Sequence, residues 1–172
     1  GHVFQAGKPF AIELWAYVYD VDHYFSGSVL SVSQSYKHGL YLGFNKQKWA
    51  LNGWLNLSWG TPEGADAIHL KEFRPEKWHY LVINYDTRSI ALYADGEAAG
   101  RKDAALNFVD NRGELLVGAL DFKLDQVTVY DAALSEEEIK AHYAKGVPKQ
   151  LFAAEREAQL TALTLKIPQE RF

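Results

Sequence analysis

Two groups of residues in this chain set flat aromatic rings beside hydrogen-bonding side chains. In the run FAIELWAYVY, from Phe10 to Tyr19, the residues Glu13, Trp15, Tyr17 and Tyr19 fall on one side of a period-two pattern. Gln126, Thr128 and Tyr130, in the run from Phe122 to Tyr130, can share that face. The second group lies between Lys46 and Trp59, where Trp49, Asn52, Trp54, Asn56 and Trp59 cluster beside His38 and Tyr41. A sugar ring presents an apolar face of C–H groups and a rim of hydroxyls, so its binder needs a ring to stack on and convergent carboxylate, amide or guanidinium partners. Glu13, Trp15, Tyr17, Gln126 and Tyr130 are the candidates in the first group, and Trp49, Asn52 and Trp54 in the second. The competing reading of the first group is a face covered by the helices that follow. In the second, alternation puts Trp54, Asn56 and Ser58 on one side and Leu55, Leu57 and Trp59 on the other, which assigns Trp59 to the core. Trp49, between Lys48 and Ala50, stands outside strand periodicity, as an exposed stacking platform would.

Other chemistries find little to work with. The six His residues, at positions 2, 23, 38, 69, 79 and 142, show no HExxH motif and no i, i+4 pairing. His79 follows Trp78 in a strand pattern and reads as a satisfied structural group. No Gly-x-Ser-x-Gly elbow and no phosphate-cradling glycine loop occurs. Asp20 and Asp22 are spaced like the start of a calcium loop, but the third acid and the bidentate Glu of an EF-hand are missing. Asn56-Leu57-Ser58 spells a glycosylation sequon inside an apparent strand, where chance explains it better.

Composition narrows the class further. A net charge of −4, from 18 Lys+Arg against 22 Asp+Glu, gives no basic field to attract phosphate backbones, so nucleic acid is not an expected partner. The absence of Cys removes disulfides, thiolate chemistry and Cys-based zinc sites together. No apolar run approaches the roughly 20 residues of a membrane-spanning helix, and no membrane partner is expected. The 5 Trp, 10 Tyr and 9 Phe exceed what one modest core needs, which favours strands and leaves rings for a ligand. With no Met at all, the chain reads as a segment of a larger protein, with any export signal elsewhere.

The elements that must position these residues are short strands. Period-two runs recur at Ser28 to Gln34, Gly39 to Asn45, Trp54 to Gly60 and Ala67 to Lys71, punctuated by Gly, Asn, Asp or Pro. Trp78 to Tyr85 and Ser89 to Ala94 form a hairpin across Asp86-Thr87-Arg88, and Asp95-Gly96 is a second tight-turn signal. Leu115 to Val117 and Phe122 to Tyr130 complete the strands. Helix enters only after them, where Ser135 and Glu138 spell a capping box. Gly146 and Pro148 end that helix, and Lys149 to Leu163 looks like a second, amphipathic one. The expected fold is all-β, a two-sheet antiparallel jelly-roll β-sandwich over residues 1–147, with short C-terminal helices and a helical tail or linker at 148–172.

Three stretches, FAIELWAYV, WHYLVINYDTRSIALYADGEAAG and LLVGALDFKLDQVTVYDAALSEEEIKAHY, resemble the laminin-G-like, concanavalin A-like lectin and glucanase domains of secreted enzymes and adhesion proteins. The resemblance covers Phe10 to Tyr143 and implies that the Phe10 strand pairs with the Phe122 strand. His2 to Gln5 is then the favoured segment to close the sheet edge, with the C-terminal segment, or an absent strand that leaves the edge exposed, as the alternatives. It also implies that one structural Ca²⁺ could be held by Asp20, Asp22, Asp121 and Asp125, with turn-capping aspartates as the competing reading. Catalytic relatives use a Glu-x-Asp-x-(x)-Glu strand, and nowhere here does Glu precede Asp by two positions, so no enzyme activity is expected. The ending LKIPQERF is similar to the lead-in to the propeller domain of fructan-hydrolysing glycosidases, which makes β-fructan the first ligand to test. These features imply a non-catalytic carbohydrate-binding module that targets a larger secreted, periplasmic or cell-surface protein to polysaccharide. The alternative is a structural or interaction domain that docks on a neighbouring domain of the same protein.

Overall fold

The computed structural model describes residues 4–5, 7–19, 25–32, 39–46, 53–106, 115–117 and 122–146. Ten strands follow one another before the single described helix: β1 (Phe10–Val18), β2 (Phe25–Val32), β3 (Leu40–Lys46), β4 (Gly53–Thr61), β5 (Gly64–Phe73), β6 (Trp78–Tyr85), β7 (Ser89–Ala94), β8 (Glu97–Asp103), β9 (Leu115–Val117) and β10 (Phe122–Tyr130). The helix α1 spans Glu136–Lys145. The strands form two five-stranded sheets, the first in the order β10-β1-β6-β7-β8 and the second in the order β5-β4-β3-β2-β9, with every pairing antiparallel. This is the expected jelly-roll sandwich.

The inner faces meet in one core. Ile12, Leu14, Ala16, Leu81, Ile83, Ile90 and Leu92 from the first sheet pack against Leu30, Leu40, Leu42, Phe44, Leu55, Leu57 and Trp59 from the second. Each such side chain contributes about 1.5–3 kcal/mol by leaving water, which makes this layer the main source of stability. Trp59 is fully buried there, as alternation along β4 requires. At Gly100 of β8 the backbone of one sheet runs close enough to the other that an added Cβ would stand 2.6 Å from Ile68 Cγ2.

Two features depart from the sequence expectation. The first is the sheet edge. β1 does pair with β10, but among the described residues β10 itself is the outermost strand, and β1 lies inside the sheet between β10 and β6. Phe4 forms no strand; it enters the core edge-on to Phe10, with ring centroids 5.3 Å apart. The second is β8, which the charged sequence EAAGRKD does not announce. The hairpin that creates it is legible: Asp95 (φ 53°) and Gly96 (φ 83°) are both left-handed, the conformation of the tight turn that matches strand twist. The tail at 148–172, with its expected second helix, lies outside the described residues.

Helix α1 starts as its sequence dictates. Ser135 caps it, its hydroxyl accepting from the Glu138 N–H at 3.2 Å while the Glu138 carboxylate accepts from the Ser135 N–H at 2.8 Å. Only Ile139 is buried along its length, and an isolated helix of ten residues is marginal in water, so tertiary contacts must hold it. Asn84 of β6 ties down the lead-in, donating to Leu134 O at 2.8 Å and accepting from Leu134 N–H at 2.9 Å. The Asp95-Gly96 turn reaches the other end, where a Cβ on Gly96 would meet Tyr143 Cδ1 at 2.9 Å. Gly96→Ala should therefore cost about 1–2 kcal/mol, from the left-handed backbone and from displacement of Tyr143. A urea unfolding midpoint that drops with unchanged slope would record this.

Candidate binding site

Alternation along β1 sends Glu13, Trp15 and Tyr17 to the outer face of the first sheet, and register sets their neighbours. Glu13 lies between Thr128 and Val82, Trp15 between Asp125 and Tyr80, and Tyr17 between Lys123 and Trp78. Helix α1 covers this face. Trp15, Tyr17, Trp78, Tyr80, Val82, Ala91, Tyr93 and Ile139 form a second apolar cluster beneath it. Trp15 is 5% exposed and stacks against Tyr143 at 6.0 Å; Tyr17 is 9% exposed and tilts against Trp78 at 5.8 Å. Of the two readings open for these rings, the covered face holds, and neither Trp15 nor Tyr17 is a surface platform.

Glu13 sits at the margin of that cover, its side chain 13% exposed. Tyr130 Oη donates to Oε1 at 2.6 Å, Tyr80 Oη donates to Oε2 at 2.6 Å, and His142 Nδ1 lies 2.8 Å from Oε2. Burial by itself would raise the Glu13 pKa, but the hydrogen bonds from Tyr130, Tyr80 and His142, with the His142 charge, outweigh it and hold the carboxyl below its ordinary 4.5. Burial and the carboxylate in turn push both phenols up, Tyr130 to about 12. Around this group a cleft of about 210 Å³ opens, lined also by Trp15, Gln126, Lys145 and Gly146. The pairing of β1 with β10 thus brings four of the sequence candidates, Glu13, Trp15, Gln126 and Tyr130, to one place. The partners Tyr80, His142 and Lys145 carried no sequence signal, because Tyr80 arrives through the pairing of β6 with β1 and the other two through the docking of α1.

Gln126 reaches the cleft through a break in the ladder. Glu13 pairs with Thr128 and Trp15 with Asp125, so Gln126 and Val127 together oppose Leu14, which is a β-bulge. Gln126 itself takes φ 50°, a left-handed conformation in a residue other than glycine.

The outer face of the second sheet has a different character. Register aligns Tyr41 with Ser58, Gly43 with Asn56, and Asn45 with Trp54 across β3 and β4, and Asn56 with His69 on β5. Tyr41, Asn45, Trp54, Asn56 and Ser58 are all partly exposed and His69 is exposed, whereas the alternating Leu55, Leu57 and Trp59 are fully buried. The Tyr41 ring lies down over Gly43: a Cβ there would stand 2.4 Å from Tyr41 Cε1. Asn56 Oδ1 is buried and has no hydrogen-bond partner among the described residues. Trp54, expected on this side, is on it; Trp49 and Asn52 lie outside the described residues.

The expected calcium ligands are mostly beyond view. Asp20, Asp22 and Asp121 lie outside the described residues, and Asp125 sits in β10 opposite Trp15. Among the described residues no three His, Cys, Asp or Glu side chains group so as to hold an ion. His79 is 4% exposed, with Nδ1 2.8 Å from Asp95 Oδ2 and Nε2 2.8 Å from the Arg74 carbonyl, which is the structural position its sequence context suggests.

The profile of the concanavalin A-like lectin/glucanases superfamily, in its laminin-G form, matches residues 1–140. The chain belongs to this family. Among curated proteins no sequence matches it. Several solved structures share the laminin-G-like fold at low identity. The binding domain of botulinum neurotoxin DC in complex with SialylT superposes with a TM-score of 0.60 at 12% identity, over 81% of this chain and 36% of that one. Domain 4 of AbnA, an extracellular arabinanase from Geobacillus stearothermophilus, in complex with arabinotriose, gives 0.58 at 14% identity, over 81% and 68%. The heptameric SAP-like pentraxin from Limulus polyphemus gives 0.54 at 15% identity, over 78% and 69%. The chain thus spans about a third of the neurotoxin structure, and identities this low speak to fold alone.

The Glu13 network makes a pH signature. Its folded pKa lies below the unfolded value of 4.5, so its stabilisation is complete above that pH and is lost as pH falls through the folded value. Glu13→Gln keeps the shape and removes the charge; we expect it to lower the unfolding free energy at neutral pH by about 2 kcal/mol. It should also flatten the acid limb of stability against pH, followed by denaturant titration from neutral to acid buffers. An acid limb as steep as that of the parent protein would contradict the assignment.

Proposed function

We propose that this laminin-G-like domain is a non-catalytic carbohydrate-binding module, and that the outer face of its second sheet is where polysaccharide lies. One observation carries the reading: Tyr41 and Trp54, two partly exposed rings, sit on a polar face with Asn56 and Gly43 between them. Four residues of rise and one strand spacing separate their Cα atoms by about 14 Å, a span suited to a short stretch of glycan chain. Tyr41, laid flat over Gly43, and Trp54 offer stacking surfaces to C–H faces, while the partly exposed Asn56 adds a polar side chain between them. On the first sheet the outer rings Trp15 and Tyr80 are taken up by stacking with Tyr143 of α1. Two structures of the same fold carry glycans, SialylT on the neurotoxin domain and arabinotriose on the arabinanase domain, which supports the ligand class.

A shallow site of this kind nets about 1 kcal/mol per contact after water is displaced, giving micromolar to millimolar affinity. Attached to a larger secreted glycan-active protein, such a module raises the local concentration of substrate without performing chemistry. A protein-docking role is favoured by one feature, the exposed Leu116 and Val117 on the edge strand β9.

Affinity electrophoresis in gels containing levan, inulin, arabinan, β-glucans or sialylated host glycans separates these readings. The expected result is retardation by at least one polymer, weakened about tenfold in Trp54→Ala and in Tyr41→Ala, the loss of one stacking ring each. Retardation that chelator abolishes would assign the Ca²⁺ to binding. No retardation in any gel would leave the docking role, and full retention by both variants would move the site elsewhere.

A further inference from the structure

The cleft beside Glu13 has features that support of the helix does not require. An ionised carboxylate offers about four acceptor positions, and three donors reach this one. Two of them, Tyr80 and His142, fall on Oε2, while Oε1 receives Tyr130 alone. One acceptor position on Oε1 is therefore left, on a side chain that still meets solvent. The cleft wall opposite is built at a cost. Gln126 is held at φ 50° by the bulge, and its side chain, exposed at the cleft lip, makes no hydrogen bond among the described residues. Asn, Asp and Gly tolerate that conformation best, and a glutamine held there is the kind of strain that accompanies function. Lys145, the last residue of α1, also lines the cleft and has no ion pair among the described residues.

We propose that this cleft is a second ligand site, which takes a single neutral polyhydroxylated ring, the terminal residue of a glycan. Its volume of about 210 Å³ is below the roughly 300 Å³ at which drug-sized pockets begin, which suits one ring and excludes a chain passing through. Glu13 Oε1 accepts a ring hydroxyl, the Gln126 amide donates to one and accepts from another, Lys145 donates to a third, and the Trp15 and Tyr130 side chains line the wall that the C–H face meets. The carboxylate works here as an acceptor already charged and oriented by Tyr80, Tyr130 and His142, so binding need not order it. The site lies on the opposite sheet from the polysaccharide surface. It rests on the reading of the domain as a glycan binder only for the choice of probes. A module with both would hold a chain along one face and read a chain end on the other.

The test uses the intact domain and the methyl glycosides of glucose, galactose, arabinose and fructose, titrated into ¹⁵N-labelled protein. For at least one glycoside, saturable shifts are expected at the Gln126 side-chain amide and at the Lys145 and Gly146 backbone amides, with none at Trp54 Nε1. Gln126→Gly is the decisive variant because its two effects have opposite signs. Removing the left-handed strain should raise Tm by about 2–4 °C, while glycoside affinity falls about tenfold. Its retention on polysaccharide gels should be unchanged, which separates failure of this site from failure of the second-sheet surface. Lys145→Ala should weaken the glycoside without moving Tm. Absence of saturable shifts for all four glycosides, or a stabilised Gln126→Gly that binds as the parent does, would overturn the proposal.

Discussion

Glu13 stands where β1, β6, β10 and α1 meet, and three donors aimed at its carboxylate hold its pKa below the ordinary value against the opposing effect of burial. Much of the architecture on that side depends on this arrangement. The helix buries one apolar residue, too little to dock by hydrophobic contact, so the His142 to Glu13 link and the stacking of Tyr143 on Trp15 and Tyr80 must hold it. Once docked, it seals the outer rings of the first sheet. A covered sheet with a half-open polar seam at its margin follows directly from where that one charge can be satisfied.

The two outer faces diverge because strands obey one periodicity and have two environments. Along β1 the outward residues Trp15 and Tyr17 are buried almost as fully as the inward Leu14 and Ala16, Trp15 against Tyr143 of the helix and Tyr17 among Trp78, Tyr19 and Lys123. Along β4 the outward Trp54, Asn56 and Ser58 stay partly exposed while Leu55, Leu57 and Trp59 are sealed. Rings on the first sheet pack against one another and against α1; Tyr41 and Trp54 on the second stay partly exposed.

Backbone irregularity is concentrated where the structure needs side chains re-aimed. The bulge at Gln126 bends β10 beside the Glu13 cleft, and a further bulge between β4 and β5 accompanies the left-handed Glu72. Near the latter, Asp95 accepts from the buried His79 and from the Tyr80 N–H, and these contacts lower its pKa against the opposing effect of burial.

From the sequence alone, the period-two runs, the Asp-Gly turn and the Ser135 capping box determined an all-β sandwich ending in a helix, because these signals are local and each element carries its own. The same alternation assigned Trp59 to the core and Trp54 to the surface. It could not decide between a ligand face and a covered face for Trp15 and Tyr17, because period two says which side a residue takes and nothing of what lies beyond that side. Nor could it find β8, whose residues are polar, since they take their place from the hairpin and from pairing with β7. The company of Glu13 was equally out of reach: Tyr80, Tyr130 and His142 lie 67, 117 and 129 residues away along the chain. Only the pairing of β1 with β6 and β10 and the docking of the helix bring them within hydrogen-bonding distance, and that is a property of the tertiary fold, not of any segment.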